Sequence, residues 1–515
     1  MKNIANIINF VRAVEPREKD NAYLPETTRK ELELCRKYGF RSTVLLQYDA
    51  LILGEYREML KEFADITEIG IWFEVVQPLV EDCSLEWRGR FPWDWHNDVG
   101  FLVGYDTEER KLLIDRFFEV FKEYYGDYPK AVGSWHIDAF SLRYMSEKYG
   151  ITVSCNCKDQ YGTDGYTIWG GYYAGAYYPS VNNMICPANS PKNQINVPVF
   201  RMLGSDPIYQ YDIGLENGIG IQGVSSMEPV YGCSGSDESW VKWYFDETYN
   251  GKTLALSYTQ FGQENSFGWK KISQGLQMQF EILKEQIKLG KVELMTLGEA
   301  GKWFRENFTE TPAAALCIDS DYSENGKKSL WYNCKNYRIN MIYENGGLHI
   351  RDFYLFRDDF CEKFLNQKET EHSCGYYNLP VADGYRFSSA QKRAGVYPLD
   401  RSGRQILCGD YRSETDDEKQ EASCIGNGIK YIFTPEKITI HAGEAERFVF
   451  DFADNADVPY ESVAEKELFM KFRGTADEDY SYSVRLGKGF FGISNGKPFI
   501  VPEDGMITII TENRS

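Results

Sequence analysis

Short apolar runs alternate with amphipathic runs along the first three hundred or so residues of the chain. Residues 3–14 read as a buried strand and residues 25–40 as a helix. A second strand and helix follow at 41–50 and 51–64, and a third strand at 68–76. Strands that alternate with helices are typical of βαβ units, which place their strands side by side in a parallel sheet.

Further units of the same kind continue to residue 311. Seven or eight such units predict a (β/α)7–8 barrel over residues 1–311. The alternative, an open doubly wound sheet, is disfavoured because no glycine-rich phosphate fingerprint is present. Two insertions, 77–105 and 158–195, each follow a predicted strand. They therefore fall on the carboxyl-terminal face, where barrels of this type keep their chemistry.

The pattern changes after residue 311. Residues 336–356 read as a hairpin, and 429–451 contain three short strands separated by turns. The second part of the chain, 312–515, is therefore predicted to be an all-β sandwich domain.

Composition excludes several classes of partner. The net charge of −20 leaves no basic footprint for nucleic acid. The N-terminal segment lacks a small-residue cleavage site, and no run approaches the roughly 18 apolar residues of a membrane span. The twelve irregularly spaced cysteines fit reduced thiols better than a disulfide framework. We expect a cytoplasmic protein with no nucleic-acid or membrane partner, and the oligomeric state is not predicted.

Two tetrapeptides of one form, WHND at 95–98 and WHID at 135–138, stand out in the first part of the chain. Both follow predicted strands, so His96, Asp98, His136 and Asp138 are expected over one mouth of the barrel. There they would contact a substrate or a divalent metal. The alternative is structural, with Asp138 satisfying amides at a helix start and His136 hydrogen-bonded in the core. No HxxxH or HExxH spacing is present, so no resident metal or other cofactor is predicted.

Other carboxylates follow predicted strands. Cleavage of a sugar bond needs two carboxyl groups, one of them protonated. Glu264 is the first candidate, because Gln260 supplies hydrogen-bonding groups nearby and Trp269 helps to exclude water. Glu74 is the second, although a buried ion pair with an arginine such as Arg12 explains it equally well.

Aromatic residues are concentrated in the first part of the chain, which holds ten of the eleven tryptophans. Sugar rings present C–H faces that pack on aromatic planes, and their hydroxyls need polar partners. The tyrosine-rich stretch 161–180 suits that task, although a packed aromatic lid has the same composition. The predicted substrate-binding residues are Trp72, Trp95, His96, Asp98, Trp135, Trp169, Gln260 and Trp269.

The segment VGSWHIDAFSLRYMSEKYGI, residues 132–151, resembles the strand-four segment of the glycoside hydrolase/deacetylase barrel superfamily. The resemblance implies a barrel of about seven strands, to which alpha-mannosidases and family-57 glycosidases append a β-rich domain. It also implies a strand-four carboxylate, here Asp138, and a strand-seven carboxylate, near Glu264. The Asp-Asp pair and the paired histidines of the deacetylase metal site have no counterpart, since strand one ends NFVRAVEP.

These observations favour a carbohydrate-active hydrolase that cleaves a glycosidic bond of a saccharide or glycoside substrate. The predicted catalytic residues are Asp138 and Glu264, with Glu74 in reserve and His136 assisting proton transfer. One alternative is a metal-dependent carbohydrate deacetylase that uses His96, His136 and a carboxylate. Another is a sugar-binding protein without catalytic activity. The identity of the sugar, its linkage and the stereochemical course are not predicted.

Overall fold

The computed structural model describes residues 2–215, 221–407, 409–473 and 479–512. Within these ranges, no helix combines the length and apolar character needed to cross a membrane. The strands of the N-terminal part are β1 (Lys2–Val11), β2 (Ser42–Leu46), β3 (Thr67–Trp72), β4 (Ala131–Gly133), β5 (Val153–Asn156), β6 (Tyr166–Trp169), β7 (Ala176–Tyr177), β8 (Val199–Arg201), β9 (Lys252–Leu254), β10 (Leu256–Phe261) and β11 (Glu293–Met295). Its helices are α1 (Tyr23–Tyr38), α2 (Tyr48–Ile52), α3 (Gly54–Glu62), α4 (Gln77–Asp82), α5 (Asn97–Gly100), α6 (Thr107–Tyr125), α7 (Ala139–Tyr149), α8 (Glu238–Phe245), α9 (Trp269–Lys288) and α10 (Leu297–Asn307).

A nine-stranded sheet forms the centre of the N-terminal part, in the order β10-β1-β2-β3-β4-β5-β8-β7, with β11 also paired to β1. All of its pairs are parallel except β7 with β8. Strand β1 is central, because its first half pairs with β10 and its second half with β2. The predicted parallel α/β architecture is therefore confirmed.

The structure differs from the predicted closed barrel. Among the described residues, no strand pairing joins β7 or β8 to β10, so the sheet is open on that side. Between these strands the chain runs through a long loop and α8, and β9 then joins a different sheet by pairing with β12 (Ala314–Ile318). Strand β9 thus extends the C-terminal sheet and does not add to the parallel sheet.

Local sequence signals fix the helices that bear on the site. Helix α6 begins with a capping box between Asp106 and Glu109 and ends at Gly126, whose φ of 84° is left-handed. Helix α7 begins at the N-cap residue Asp138 and ends at Gly150, which also has a positive φ of 66°. Strand β4 lies between the end of α6 at Gly126 and the start of α7 at Asp138, so the chain must leave the sheet before Asp138.

The C-terminal part is all β, as predicted. Apart from β16, its strands form two sheets. One has ten strands, including β9, in the order β27-β28-β23-β18-β15-β14-β13-β12-β9 with β17 on β15, and the other has eight, in the order β19-β20-β21-β22-β29-β26-β25-β24. Both sheets are antiparallel and share one hydrophobic core, as in a sandwich. The strands are β13 (Lys328–Asn333), β14 (Tyr337–Glu344), β15 (Gly347–Leu355), β16 (Cys374–Tyr377), β17 (Leu379–Asp383), β18 (Gly395–Leu399), β19 (Tyr411–Asp416), β20 (Glu421–Gly426), β21 (Ile429–Phe433), β22 (Lys437–His441), β23 (Arg447–Asp451), β24 (Tyr460–Ala464), β25 (Glu467–Phe472), β26 (Tyr480–Lys488), β27 (Phe490–Ser494), β28 (Lys497–Val501) and β29 (Met506–Ile510).

The two parts interlock across the predicted boundary at residue 311. Strand β9 belongs to a sheet of the C-terminal part, and β6 pairs in parallel with β16. A loop of the C-terminal part also reaches the N-terminal helices: Glu362 Oε1 accepts a 2.9 Å hydrogen bond from the amide of Ala139. The same loop continues to His372 and Ser373, which reach the carboxyl-terminal side of the parallel sheet.

A buried ionic network, here called the Arg338 network, joins the two parts. The Arg338 side chain donates to Asp352 at 2.8 Å and to Asp159, which also pairs with Arg201. A further Arg338 nitrogen donates to the Tyr211 hydroxyl at 2.8 Å. Since Arg338, Asp159 and Asp352 are entirely buried, the network fastens one part to the other away from solvent.

Candidate active site

A cavity of about 700 Å³ opens at the carboxyl ends of the parallel strands. Residues that follow four strands of the parallel sheet face it: Arg12 after β1, Glu74 after β3, Trp135 after β4 and Glu264 after β10. This is the edge where parallel α/β folds hold their ligands. The wall is completed by Glu15, Arg17, Trp93, Trp95, His96, Phe101, Tyr166, Glu228, Tyr231 and His372, among others.

The floor of the cavity carries a guanidinium between glutamates, here called the Arg12 centre. Arg12 Nη2 donates to Glu264 Oε2 at 2.8 Å and to Glu74 Oε2 at 3.2 Å, and the guanidinium stacks 4.0 Å from the ring of Trp93. Burial alone would lower the pKa of Arg12, but Glu264, Glu74 and Glu15 together raise it. The centre is therefore a fixed positive charge that holds two carboxylates at the cavity floor.

Glu74 combines the two roles that the sequence left open. Its side chain is buried and pairs with Arg12, as one interpretation predicted, yet the residue also lines the cavity. Trp93 Nε1 donates to Glu74 Oε2 at 3.0 Å. Burial raises the pKa of Glu74 to about 7, although Arg12 opposes this effect. Glu74 therefore binds a proton more tightly than an ordinary glutamate does.

Glu264 lies where the sequence predicted it. A backbone bridge to Phe10 places it beside the end of β1, and Ser266 Oγ donates to its Oε1 at 2.8 Å. The ion pair with Arg12 stabilises negative charge on the other oxygen.

Glu228 is a cavity acid that the sequence analysis missed. Its Oε1 accepts from Gln263 Nε2 at 3.2 Å and its Oε2 from Ser226 Oγ at 2.9 Å. Burial raises the pKa of Glu228 to about 7, and these two hydrogen bonds oppose the shift. Gln263 Oε1 also accepts from the amide of Glu264 at 2.8 Å, so one side chain sets the spacing of both acids.

The structure places Asp138 outside the cavity. Its carboxylate is fully buried, accepts from the Ser141 amide at 2.9 Å and pairs with Arg110 at 3.0 Å. The expectation that Asp138 faces the cavity is therefore wrong. The helix-capping interpretation describes its contacts, because an N-cap side chain turns back toward the first free amides of the helix.

His136 is also withdrawn from the cavity. Its Nε2 lies 2.9 Å from Asn97 Oδ1, and its ring stacks on Phe101 with centroids 4.3 Å apart. Burial lowers the pKa of His136 to about 3, so the ring is neutral near pH 7. The contacts of His136 are those of a structural imidazole.

The predicted substrate-binding residues divide into two groups. Trp95, His96 and Trp135 line the cavity, and Asp98 lies beside it at the rim. The other group does not line the cavity and consists of Trp72, Trp169, Gln260 and Trp269. Trp72 packs beneath Trp135, with ring centroids 5.0 Å apart.

Three predicted residues have structural partners. Trp169 Nε1 donates to Asp383 Oδ2 at 3.0 Å, on the side of the C-terminal part. Gln260 Oε1 accepts from the amide of Leu203 at 3.1 Å. Trp269 is the first residue of α9 and packs against the core formed by α1, α8 and α9. None of the three lines the cavity.

At the rim, His96, Asp98 and His372 form what is here called the rim cluster. One ligand atom from each lies within 4.8 Å of the others. His372 Nδ1 is 3.2 Å from Asp98 Oδ1, and the rings of His96 and His372 stack with centroids 3.8 Å apart. His372 was not among the predicted site residues, because it comes from the predicted sandwich domain.

The cavity floor does not fit the divalent metal that the deacetylase resemblance implies. The positive charge among its carboxylates is already the Arg12 guanidinium, which contacts both Glu74 and Glu264. The two predicted histidine ligands are also separated, because His136 stacks on Phe101 and is buried, whereas His96 belongs to the rim cluster.

Comparison with known proteins supports the fold. Residues 99–320 match the family model DUF3863, a domain of unknown function with a solved structure. A solved structure from Parabacteroides distasonis, described as a "putative glycoside hydrolase/deacetylase", is 15% identical with a TM-score of 0.54, and the match covers 73% of this chain and 90% of that one. No curated protein sequence matches the chain.

Two further solved structures are more distant. A "putative polysaccharide deacetylase" from Mycobacterium smegmatis is 11% identical with a TM-score of 0.38, over 59% of this chain and 91% of that one. PuuE allantoinase is 12% identical with a TM-score of 0.37, over 60% and 92%. The chain thus shares the fold of the Parabacteroides structure, and at 15% identity the likeness is one of fold.

Proposed function

From this shared fold and the cavity, we propose that the chain is a carbohydrate-active hydrolase that cleaves a glycosidic bond between Glu228 and Glu264. The observation that carries the proposal is the different surroundings of two cavity acids: Glu228 is held by the neutral side chains of Gln263 and Ser226, and Glu264 by a guanidinium. Burial raises the pKa of Glu228 to about 7, whereas Glu264 is bound to the Arg12 guanidinium at 2.8 Å. A proton donor and a carboxylate in one cavity are the pair that glycoside hydrolysis requires.

The proposed chemistry assigns a role to each acid. Protonated Glu228 donates its proton to the leaving oxygen as the bond from that oxygen to the anomeric carbon breaks. The Glu264 carboxylate stabilises the positive charge that develops at this carbon. Water supplies the hydroxyl group that ends on the anomeric carbon, and its remaining proton returns to Glu228. Arg12 holds Glu264 and Glu74 in position throughout.

The walls of the cavity suit a sugar. Trp95, Trp135 and Tyr231 provide apolar ring surface for the C–H faces of a pyranose. Glu74 lies at the floor, and a carboxyl group with a pKa near 7 can accept a hydrogen bond from a sugar hydroxyl or donate one to it.

The test is the Glu228→Gln variant assayed on aryl glycosides with good and poor leaving groups. Without the proton donor, kcat on the poor leaving groups should fall by about 10²-fold or more, whereas glycosides with strongly activated leaving groups should be affected much less. Wild-type activity should decline as the pH rises above about 7, because Glu228 then loses its proton, and the variant should lose this dependence.

Glu55→Gln is the matched control, since Glu55 is an exposed glutamate on α3, remote from the cavity lining. It should behave as wild type on every substrate. Equal losses of Glu228→Gln on both substrate classes would contradict the assignment of Glu228 as the acid. Glu264→Gln should lose activity on both classes, because the charge it stabilises forms whatever the leaving group is.

A second candidate is a carbohydrate deacetylase. The description of the Parabacteroides structure includes this activity, and the rim cluster offers the ligand types of a catalytic metal. Acetate release from acetylated saccharides, without release of reducing sugar, would favour it over glycoside cleavage. Binding of sugars with neither product would instead indicate a protein that binds sugar without turnover.

A further inference from the structure

We infer that the rim cluster, His96, Asp98 and His372, is a binding site for one divalent transition-metal ion such as zinc. Two imidazoles and one carboxylate form a common ligand set for such ions. A tetrahedral ion held by three protein ligands keeps a fourth position open. Because His96 and His372 both line the cavity, that position would face it.

The distances in the cluster are close to those around a bound ion. Zinc–ligand bonds of about 2.0–2.1 Å place tetrahedral ligand atoms roughly 3.3 Å apart. His372 Nδ1 and Asp98 Oδ1 already lie 3.2 Å apart, and all three ligand atoms fall within 4.8 Å of one another. Rotation of the stacked His96 ring about its own side-chain bonds is the adjustment needed to complete the set.

The backbone holds the two contributing segments together without using the ligand atoms. Asn97 lies between His96 and Asp98 in the chain, and its amide donates to the carbonyl oxygen of His372 at 3.0 Å. Its side-chain Nδ2 donates to the same oxygen at 3.1 Å. The two segments are 274 residues apart in sequence, so these bonds supply the preorganisation that a metal site needs.

The site is separate from the acids of the cavity floor. Asp98 and His96 belong to the insertion 77–105, and His372 belongs to the loop of the C-terminal part that precedes β16. None of these three residues directly follows a strand of the parallel sheet. A bound ion would therefore tie the insertion to the C-terminal part at the cavity rim, and it would do so whether or not the proposed reaction occurs.

The experiment is a titration of the chelator-treated full chain with Zn²⁺ by calorimetry, repeated with Co²⁺ by absorption spectroscopy. Wild type should bind one equivalent, with Co²⁺ giving the visible bands of a tetrahedral site. His372→Ala should lose this step and should fold normally, because the His372 side chain is 71% exposed. His441→Ala is the matched control, since His441 is an exposed histidine on β22, and it should retain the step.

Thermal melting gives a second readout that needs no substrate. Zn²⁺ should raise the Tm of wild type and of His441→Ala but leave His372→Ala unchanged, since an ion stabilises only the state that binds it. The inference would be overturned if wild type did not bind one equivalent of Zn²⁺. It would also be overturned if the double variant His96→Ala/His372→Ala still bound one equivalent. Neither result would bear on the proposed hydrolysis, which is measured separately by turnover.

Discussion

The Arg12 centre and the Arg338 network are built from the same parts but differ in what surrounds them. Each is a buried guanidinium held by two carboxylates: Glu74 and Glu264 around Arg12, Asp159 and Asp352 around Arg338. The carboxylates around Arg338 are fully enclosed by protein. Those around Arg12 line a cavity of about 700 Å³. A buried ion pair therefore indicates a functional site only where its charged groups face a space that a ligand can enter.

The two centres also differ in how they relate to the fold. The Arg338 network connects the N-terminal and C-terminal parts, and its guanidinium donates only to buried protein groups. The Arg12 centre draws its residues from the ends of β1, β3 and β10, where the sheet edge leaves room above them. The first centre is suited to stability and the second to chemistry, and substitutions should separate the two.

The largest effect is expected for Arg338→Met. The substitution leaves Asp352 buried without its arginine, while Asp159 keeps only Arg201, and breaking a buried ion pair in this way typically costs about 3–5 kcal/mol of unfolding free energy. Urea unfolding measures this, and the specific activity of the protein that remains folded should stay near wild type. Arg143→Met removes an exposed ion pair with Glu147 and should change stability by less than about 1 kcal/mol. Equal stability of the two variants would show that the Arg338 network does not contribute to the stability of the fold.

A smaller loss of stability but a clear loss of turnover is expected for Arg12→Lys. Lysine keeps the positive charge but lacks the planar fork that contacts Glu264 and Glu74 together. Misplacement of Glu264 should reduce kcat by about 10²-fold. Steady-state kinetics and urea unfolding on the same preparation compare the two effects. If Arg12→Lys unfolds as readily as Arg338→Met while its folded fraction remains fully active, the Arg12 centre is structural.

The smallest effect concerns a buried carboxylate without an arginine. Glu31 lies on α1, is completely buried, and its two oxygens have no hydrogen-bond partner among the described residues. Burial raises the pKa of Glu31 well above its ordinary value, so the folded protein keeps the proton. The associated stability is present below the unfolded pKa near 4.5 and is lost as the pH rises.

Glu31→Gln should therefore be more stable than wild type at pH 8, by about 1–3 kcal/mol, and nearly equal to it at pH 5. Thermal unfolding at the two pH values measures the difference. A gain of the same size at both pH values would show that the proton on Glu31 is not responsible.

The sequence predicted the parts of the fold that depend on local pattern. The alternation of apolar and amphipathic runs was sufficient to predict the parallel sheet. The three strands predicted within 429–451 are β21, β22 and β23 of the structure. The closure of the barrel was not predictable in this way. It depends on pairings between strands far apart in the chain, such as that of β9 with β12, which local pattern does not reveal.

The site was predicted only in part, for similar reasons. Glu264 and Trp135 follow strands, and the sheet brings such residues to one edge. Asp138 also follows a strand, but its capping bond to Ser141 turns it away from the cavity, and sequence position does not reveal that rotation. Glu228 lies in the long segment between β8 and α8, which has neither strand nor helix periodicity to place it.

The pairing of β9 with β12 and of β6 with β16 affects how the chain can be divided into fragments. A fragment cut at residue 311 would leave β9 with a bare edge and would lack His372 and Ser373, which form part of the cavity wall. We therefore expect that the N-terminal half does not form the complete cavity on its own. Whatever binds in the cavity meets a surface assembled from both halves, and selection on the ligand acts on the two together.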